Sequence, residues 1–524
     1  MTTARRAVSS RWGCWLVVAL AVLWKLFWLG RQAFPFNSDE AVVALMARHI
    51  LAGERPVFFY GQAYMGSLDA FLVAGGFALW GTKVWVVRAV QTLLYAGTVA
   101  LTCVFARRLF EAEEAGWAAG LLMAIPTVNM TLYTTVSLGG YGEALLIGTA
   151  LLVLAVHPWG ERAWGALLWG VLAGLGAWVL GLTLVYAATA GLYLLWRWRM
   201  LPPGQRWQRL GLAVLGGALG AWPWWWYGVH HGWHALLGEL AGHAVAVPGG
   251  GLGQRLLSLA VLGLPVMMGV RPPWDAHLLA PFLAVGVLVA FGALGLAAWH
   301  ARRQWRPAWW LPVGVSAFVV AGFLLTPFGN DPSGRYFLPI TQMAFVGLGG
   351  LAAHFRWRRR PLGWVLVLFL VFYFGVSTAQ AAANPYRLTT QFAPDARVHP
   401  GDLPRLMDFL ESHGETRGYT TYWVAYPLAF LSHERLIFVP RLPYHWDFRY
   451  TPRDDRYPPY DAWVASSPRV AYITVAHPAL DACLRQGLRA AGVAWREAVI
   501  GDYRVFYDLS RPLPPQEALA ACEH

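Results

Sequence analysis

From Trp12 to about Ala382 the sequence is a succession of apolar runs, many of them close to the length of a bilayer crossing, separated by short arginine-bearing segments. Few features constrain a chain more. About 20 residues of α-helix cover a hydrocarbon core of ~30 Å, and a backbone inside that core must satisfy its polar groups within helices or a closed barrel. Of the 524 residues, 57% are hydrophobic and 13% charged, with 55 glycines and 30 tryptophans, a profile that a soluble core would not need. The chain therefore reads as a polytopic α-helical membrane protein. Its net charge of +13 does not indicate a nucleic-acid partner, because the arginines fall between apolar runs instead of forming a stripe with interleaved aromatics.

Lysine and arginine favour cytoplasmic loops, which orients the helices. The basic segments at Arg5 to Arg11, Arg107 and Arg108, Arg162, Arg197 to Arg209, Arg302 to Arg306 and Arg356 to Arg360 share one side if about eleven helices span the bilayer. The expected spans are 13–31, 85–106, 116–133, 143–156, 163–179, 181–196, 208–227, 277–299, 309–326, 335–353 and 362–382. The chain then starts inside and ends outside. Leu68 to Trp80 and Leu256 to Val270 do not fit as spans and are expected at the outer interface, within two large outer loops, Arg31 to Val84 and Gly228 to Ala276. Arg5, Arg6 and Arg11 precede an apolar stretch as in a signal peptide, but no A-x-A-like site follows Gly30, so the first helix is read as uncleaved.

After Ala382 the sequence turns polar and proline-rich. β-rich runs at Gly418 to Val424, Leu436 to Val439, Val470 to Val475 and Tyr503 to Leu509 alternate with helical patterns at Leu403 to His413 and Ala479 to Ala491. This predicts a small extracytoplasmic α/β domain over 384–524, beside a membrane domain over 1–383. Cys14 and Cys103 lie in apolar runs, leaving Cys483 and Cys522 as the expected pair.

Several outer-side residues can carry chemistry. Phe36-Asn37-Ser38-Asp39-Glu40 leads into the apolar helix Ala41 to Leu51. Asn37 can cap that helix, with Glu40 three residues on as in a capping box and Asp39 favoured by the helix dipole. Yet ionisable groups at a membrane helix end are costly and mark functional sites. Glu143, in Ser137-Leu138-Gly139-Gly140-Tyr141-Gly142-Glu143, is a second acid on that side; two converging acids suit a general base with a metal ligand or orienting partner. Arg335, in Asn330-Asp331-Pro332-Ser333-Gly334-Arg335-Tyr336, suits bidentate phosphate binding, or else pairs with Asp331 or snorkels; Arg88 has the binding and snorkelling readings too. His230 and His234 have i, i+4 spacing, a weak signal for a divalent metal, and His231 and His243 lie in the same loop. No Walker loop, GxSxG or Rossmann glycine pattern sits in a suitable context, so nucleotide-driven chemistry is not expected.

Asn37-Ser38-Asp39-Glu40-Ala41 resembles the corresponding segment of the GT-C class of integral-membrane glycosyltransferases, of the glycosyltransferase family 39 type that includes protein O-mannosyltransferases and lipid A aminoarabinose transferases. Ala47 to Glu54, Tyr60 to Leu68, Val87-Arg88-Ala89, Glu143 and Gly334-Arg335-Tyr336-Phe337-Leu338-Pro339 follow in the family's order, over roughly Trp12 to Ala382. The resemblance implies that Asp39 is the catalytic acid of the first outer loop, with Glu40 completing the pair. It implies a polyprenyl-phosphate sugar donor, a lipid, glycan or protein acceptor, and a bacterial cytoplasmic membrane. Where some relatives carry a phosphate-holding lysine, this loop offers Gln62 and Tyr64, so the phosphate role passes to Arg88, to Arg335 beside Tyr336, or to a metal held by Glu143. The expected activity is an inverting sugar transfer at the outer face. A lipid or sugar transporter without transferase activity is the alternative, and it expects inverted repeats, which the sequence lacks. A polymerase or ligase of polyprenyl-linked glycans would share the lipid-phosphate chemistry, but the acidic pair after the first helix argues against it.

Overall fold

The structure is a computed structural model describing residues 2–238, 251–304, 306–331, 333–357, 362–391, 397–399 and 401–520. The chain clusters into two compact units that interleave along the sequence. One holds 1–34, 63–69 and 85–384; the other holds 35–62, 70–84 and 385–524.

The first unit is helical. Six helices among the described residues are long and apolar enough to cross a membrane, at Gly13–Gly30, Val84–Phe110, Pro281–Ala301, Pro307–Leu325, Arg335–His354 and Leu362–Ala382, the architecture of a multi-pass membrane protein. The other five expected spans are helices of at most 18 residues or are interrupted. The run 116–133 divides into Glu113–Ala124 and Val128–Tyr133. Pro126 lacks the N–H that would continue the first helix, and the Thr127 side chain accepts from the Met130 amide at 3.3 Å to start the second. The run 208–227 divides into Pro203–Gly220 and Trp222–His231.

Small residues set the closest packing in this unit. A methyl added at Gly170, Gly174 or Gly220 would lie 2.1 Å from the carbonyl oxygen of Ala213, Gly217 or Val171, so helices Ala163–Val179 and Pro203–Gly220 touch backbone to backbone. Lys25, 2% exposed in the first helix, donates to the Thr134 carbonyl at 2.5 Å and to the Thr134 and Thr135 hydroxyls at 2.9 and 2.7 Å. Three acceptors around its nitrogen offset the cost of burying this polar group.

The cysteine pairing differs from expectation. Cys14 and Cys103 form a disulfide between two apolar helices, because helix packing brings together residues 89 apart in sequence. Cys483 is also disulfide-bonded, while its expected partner Cys522 lies outside the described residues, as do His243, Pro332 and Arg358 to Arg360.

The second unit is built on a mixed sheet. Two short strands, β1 (Phe58–Phe59) and β2 (Gln62–Gly66, all but its first residue in the first unit), come earlier in the chain; β3 (Arg417–Tyr419), β4 (Ile437–Val439), β5 (Ala471–Val475), β6 (Arg496–Ile500) and β7 (Tyr503–Tyr507) form a five-stranded sheet of order β4-β3-β5-β7-β6. β3 runs parallel to β4 and β5, with Gly418 opposite Phe438 and Ala471, and β7 runs antiparallel to β5 and β6. Period-two alternation separates two cores. Ile473 and Val505 face one side with Leu403, Leu406 and Leu410, while Tyr472 and Phe506 face the other with Leu480, Leu484 and Leu488. The leucine spacing of three or four places each set on one face of its helix, Leu403–Ser412 or Pro478–Ala490. Residues 422–424, read as the end of a β-rich run, instead begin the helix Tyr422–Leu431, against which the first-loop helix Ser38–Leu51 packs.

Candidate functional site

In the second unit, Asn37 has extended backbone and its side-chain oxygen accepts from the Glu40 amide at 3.3 Å, so it caps Ser38–Leu51. The cap fixes the backbone of the residues beside it. Glu40 is fully buried, whereas Asp39 is partly exposed. Each Asp39 carboxylate oxygen meets a hydroxyl: Tyr422 donates to Oδ1 at 2.7 Å and Thr390 to Oδ2 at 3.3 Å. Asn37 Nδ2 donates to the Thr390 hydroxyl at 2.8 Å, and the Ser38 hydroxyl donates to the Tyr422 carbonyl.

A buried cation accompanies this group. The Arg456 guanidinium lies 5.4 Å from the Tyr422 ring centroid and 6.0 Å from that of Phe59. With its amide oxygen turned toward the guanidinium, Gln62 accepts from Arg456 at 2.6 and 2.9 Å. Burial pushes Asp454 up to about 7, with Arg456 opposing and Asp39 adding to the rise. Burial, with Asp39 beside it, also raises the Tyr422 hydroxyl, keeping it protonated as a donor. Thr390, Tyr422, Asp454 and Arg456 escaped the sequence reading. A usable signal was Thr420-Thr421-Tyr422 at the carboxyl end of β3, since ligands of parallel strands gather at that end.

Farther along the first-loop helix, Glu434 accepts from His49 Nε2 at 3.0 Å and from the Tyr460 hydroxyl at 2.8 Å, with Arg48 at 3.4 Å. Glu54 accepts from the Tyr60 and Tyr457 hydroxyls at 2.5 and 2.6 Å. Both ends of Ser38–Leu51 are thus held by residues from beyond position 385.

The first unit gathers most of the other expected residues. Arg335 donates to Asp331 at 2.6 Å, and its guanidinium lies 5.7 and 5.5 Å from the Tyr141 and Tyr336 ring centroids. Phe328 packs against Tyr64 and Tyr336 at 6.3 and 5.4 Å, completing an aromatic enclosure. Gly334 takes a left-handed φ of +70°, which lets its chain turn into that enclosure while its carbonyl accepts from Asn129 at 3.0 Å. Arg335 Nε has no hydrogen-bond partner among the described residues. Arg88 donates to the Phe34 carbonyl at 3.1 Å.

Glu143 stands beside an acid the sequence reading passed over. Asp69 is 2% exposed and accepts from Gln91 at 2.8 Å and from the Ser137 hydroxyl. Burial pushes its carboxyl up to about 6, against the lowering effect of hydrogen bonds from Ser137, the Gly139 amide and Gln91. Among the described residues no group of three or more His, Cys, Asp or Glu is placed to hold a metal ion. The metal set expected from Glu143, His230 and His234 is not assembled there: Glu143 is buried, while the two histidines are exposed and His230 bonds the Trp226 carbonyl at 2.7 Å.

No family model matches the sequence, and no curated protein does. Solved structures do match. The crystal structure of ArnT from Cupriavidus metallidurans bound to undecaprenyl phosphate is similar with a TM-score of 0.59 and 16% identity, over 96% of this chain and 99% of that one. Its apo state gives 0.57 and 14%, over 97% and 98%. The archaeal oligosaccharyltransferase AglB from Archaeoglobus fulgidus, in complex with an inhibitory peptide and a dolichol-phosphate, gives 0.50 and 11%, over 98% of this chain and 77% of that one. The chain has the GT-C fold expected from its first outer loop.

Proposed function

We propose that the protein transfers a sugar from a polyprenyl-phosphate donor to an acceptor hydroxyl or amine at the outer face of the cytoplasmic membrane, with Asp39 as general base. The observation that carries this reading is the likeness, over nearly the full length of both chains, to a structure bound to undecaprenyl phosphate. In one displacement the acceptor heteroatom bonds the anomeric carbon as the bond from that carbon to the phosphate oxygen breaks. The acceptor proton passes to Asp39, polyprenyl phosphate leaves, and the anomeric centre inverts. Arg335 fits the phosphate role, since Asp331 engages one terminal nitrogen and Nε is left to donate.

Native mass spectrometry of the purified, detergent-solubilised protein tests donor recognition. Undecaprenyl phosphate should be retained at energies that strip undecaprenol, and equal retention of both would overturn the reading. The C-terminal domain is proposed to face outward. A reporter fused to the C-terminus and active only in the cytoplasm would refute that placement.

A further inference from the structure

A carboxylate serves as a base only if one lone pair points at the acceptor proton, and an error of about 1 Å in placement can cost ~100-fold in rate. Asp39 sits in the first turn of its helix, where the backbone limits χ1 but leaves the plane of the carboxylate to turn about χ2. Its orientation therefore depends on what touches it. The hydrogen bonds run in one direction: the Glu40 amide donates to Asn37 Oδ1, Asn37 Nδ2 donates to the Thr390 hydroxyl, and that hydroxyl is left to donate to Asp39 Oδ2. Tyr422, 3% exposed, clasps the same turn twice. Its hydroxyl donates to Asp39 Oδ1, and its carbonyl accepts from the Ser38 hydroxyl. Arg456 near the Tyr422 ring draws electron density from it and strengthens the phenol as a donor.

We propose that Tyr422 and Thr390, from the C-terminal part of the chain, are the positioning residues that aim the Asp39 carboxylate, an inference that rests on Asp39 being the base. The two hydroxyls hold one oxygen each and leave the remaining lone pairs to the acceptor. The C-terminal segment is on this account part of the transfer site: helix Ser38–Leu51 supplies the base, and residues 351 and 383 positions away from Asp39 orient it.

The test uses the full-length protein in nanodiscs. Total membrane lipid extract of the source organism serves as donor and acceptor, and released undecaprenyl phosphate is measured by mass spectrometry. Tyr422→Phe removes only the hydroxyl, and we expect kcat to fall about 10-fold to 100-fold while the apparent KM for the extract stays within about twofold. Thr390→Val should lower kcat in the same way, and Thr390→Ser should restore it. Should Tyr422→Phe fail to fold, the Thr390 pair carries the test alone. Unchanged kcat in Tyr422→Phe and Thr390→Val, with Asp39→Asn inactive, would overturn this inference and leave Asp39 as base. So would losses that follow the melting temperature with no separate fall in kcat, because they would make the contacts purely structural. Full release by Asp39→Asn, or none by the wild type, would overturn the transferase reading and this inference with it.

Discussion

Replacing Glu434 by glutamine should loosen the far end of the helix that carries Asp39, by an amount that depends on pH. Arg48 and His49 lie in the last turn of Ser38–Leu51 and both reach Glu434. Burial alone would push this carboxyl up, but bonds from His49 and Tyr460 and the charges of His49 and Arg48 outweigh it and hold it down at about 2, against an ordinary 4.5. At ~1.36 kcal/mol per pH unit that gap is worth about 3.4 kcal/mol. Solvent screening of a side chain 18% exposed reduces it to about 2–3 kcal/mol. Because the folded value is depressed, the contribution is complete above pH ~4.5 and is lost as pH falls through about 2. Thermal unfolding in detergent, read by tryptophan fluorescence, should place Glu434→Gln about 4–12 °C below wild type near pH 5, taking ~2–4 °C per kcal/mol for a unit of this size. The curves should converge toward pH ~2. A gap of the same size at both ends, or none at either, would refute the electrostatic account.

Asp39→Asn keeps size and removes the base, so release of undecaprenyl phosphate should drop roughly 100-fold to 10,000-fold with the melting temperature unchanged; near-wild-type turnover in reconstituted vesicles would contradict it. Arg335→Lys keeps charge but loses the planar fork, and donor KM should rise about 10-fold to 150-fold, with Arg335→Ala worse. Unchanged kinetics in both would pass the phosphate role to Arg88. Gly174→Val would drive a side chain into the Gly217 carbonyl, 2.1 Å from the new Cβ, and should cost about 1–3 kcal/mol or more, read as lost detergent-stable monomer in size-exclusion chromatography.

The sequence disclosed what is local and concealed what is distant. Long apolar runs such as 13–30 and 362–382 are helices because their length and composition leave no alternative in a bilayer. The Asn37 cap was readable because donor and acceptor lie three residues apart. Pro126 could have divided the run 116–133, but an apolar period outweighed one residue. At the start of Tyr422–Leu431, Tyr422, Trp423 and Val424 suggested the end of a strand, yet the segment is helical and packs against Ser38–Leu51. β6 went unread because its first residues are exposed and charged, as an edge strand allows. The Cys14–Cys103 bond and the partners of Asp39 depend on which helices and loops meet, which no local pattern encodes.

Among the acidic candidates, access decides which could serve as a base. A base must reach a proton on an incoming acceptor, so an acid sealed from that acceptor cannot serve, whatever its charge. Glu40, Asp69 and Glu143 are 0%, 2% and 2% exposed. Asp69 already accepts from the Gln91 amide, the Ser137 hydroxyl and the Gly139 amide, three donors for its two oxygens, and it stands beside Glu143. Asp39 is partly exposed, is held by one hydroxyl on each oxygen, and keeps lone pairs for a third partner. Burying a carboxylate without donors would cost several kcal/mol, and surrounding it with donors would block it. Two hydroxyls and partial exposure lie between those limits, where a carboxylate can be both fixed in place and reactive.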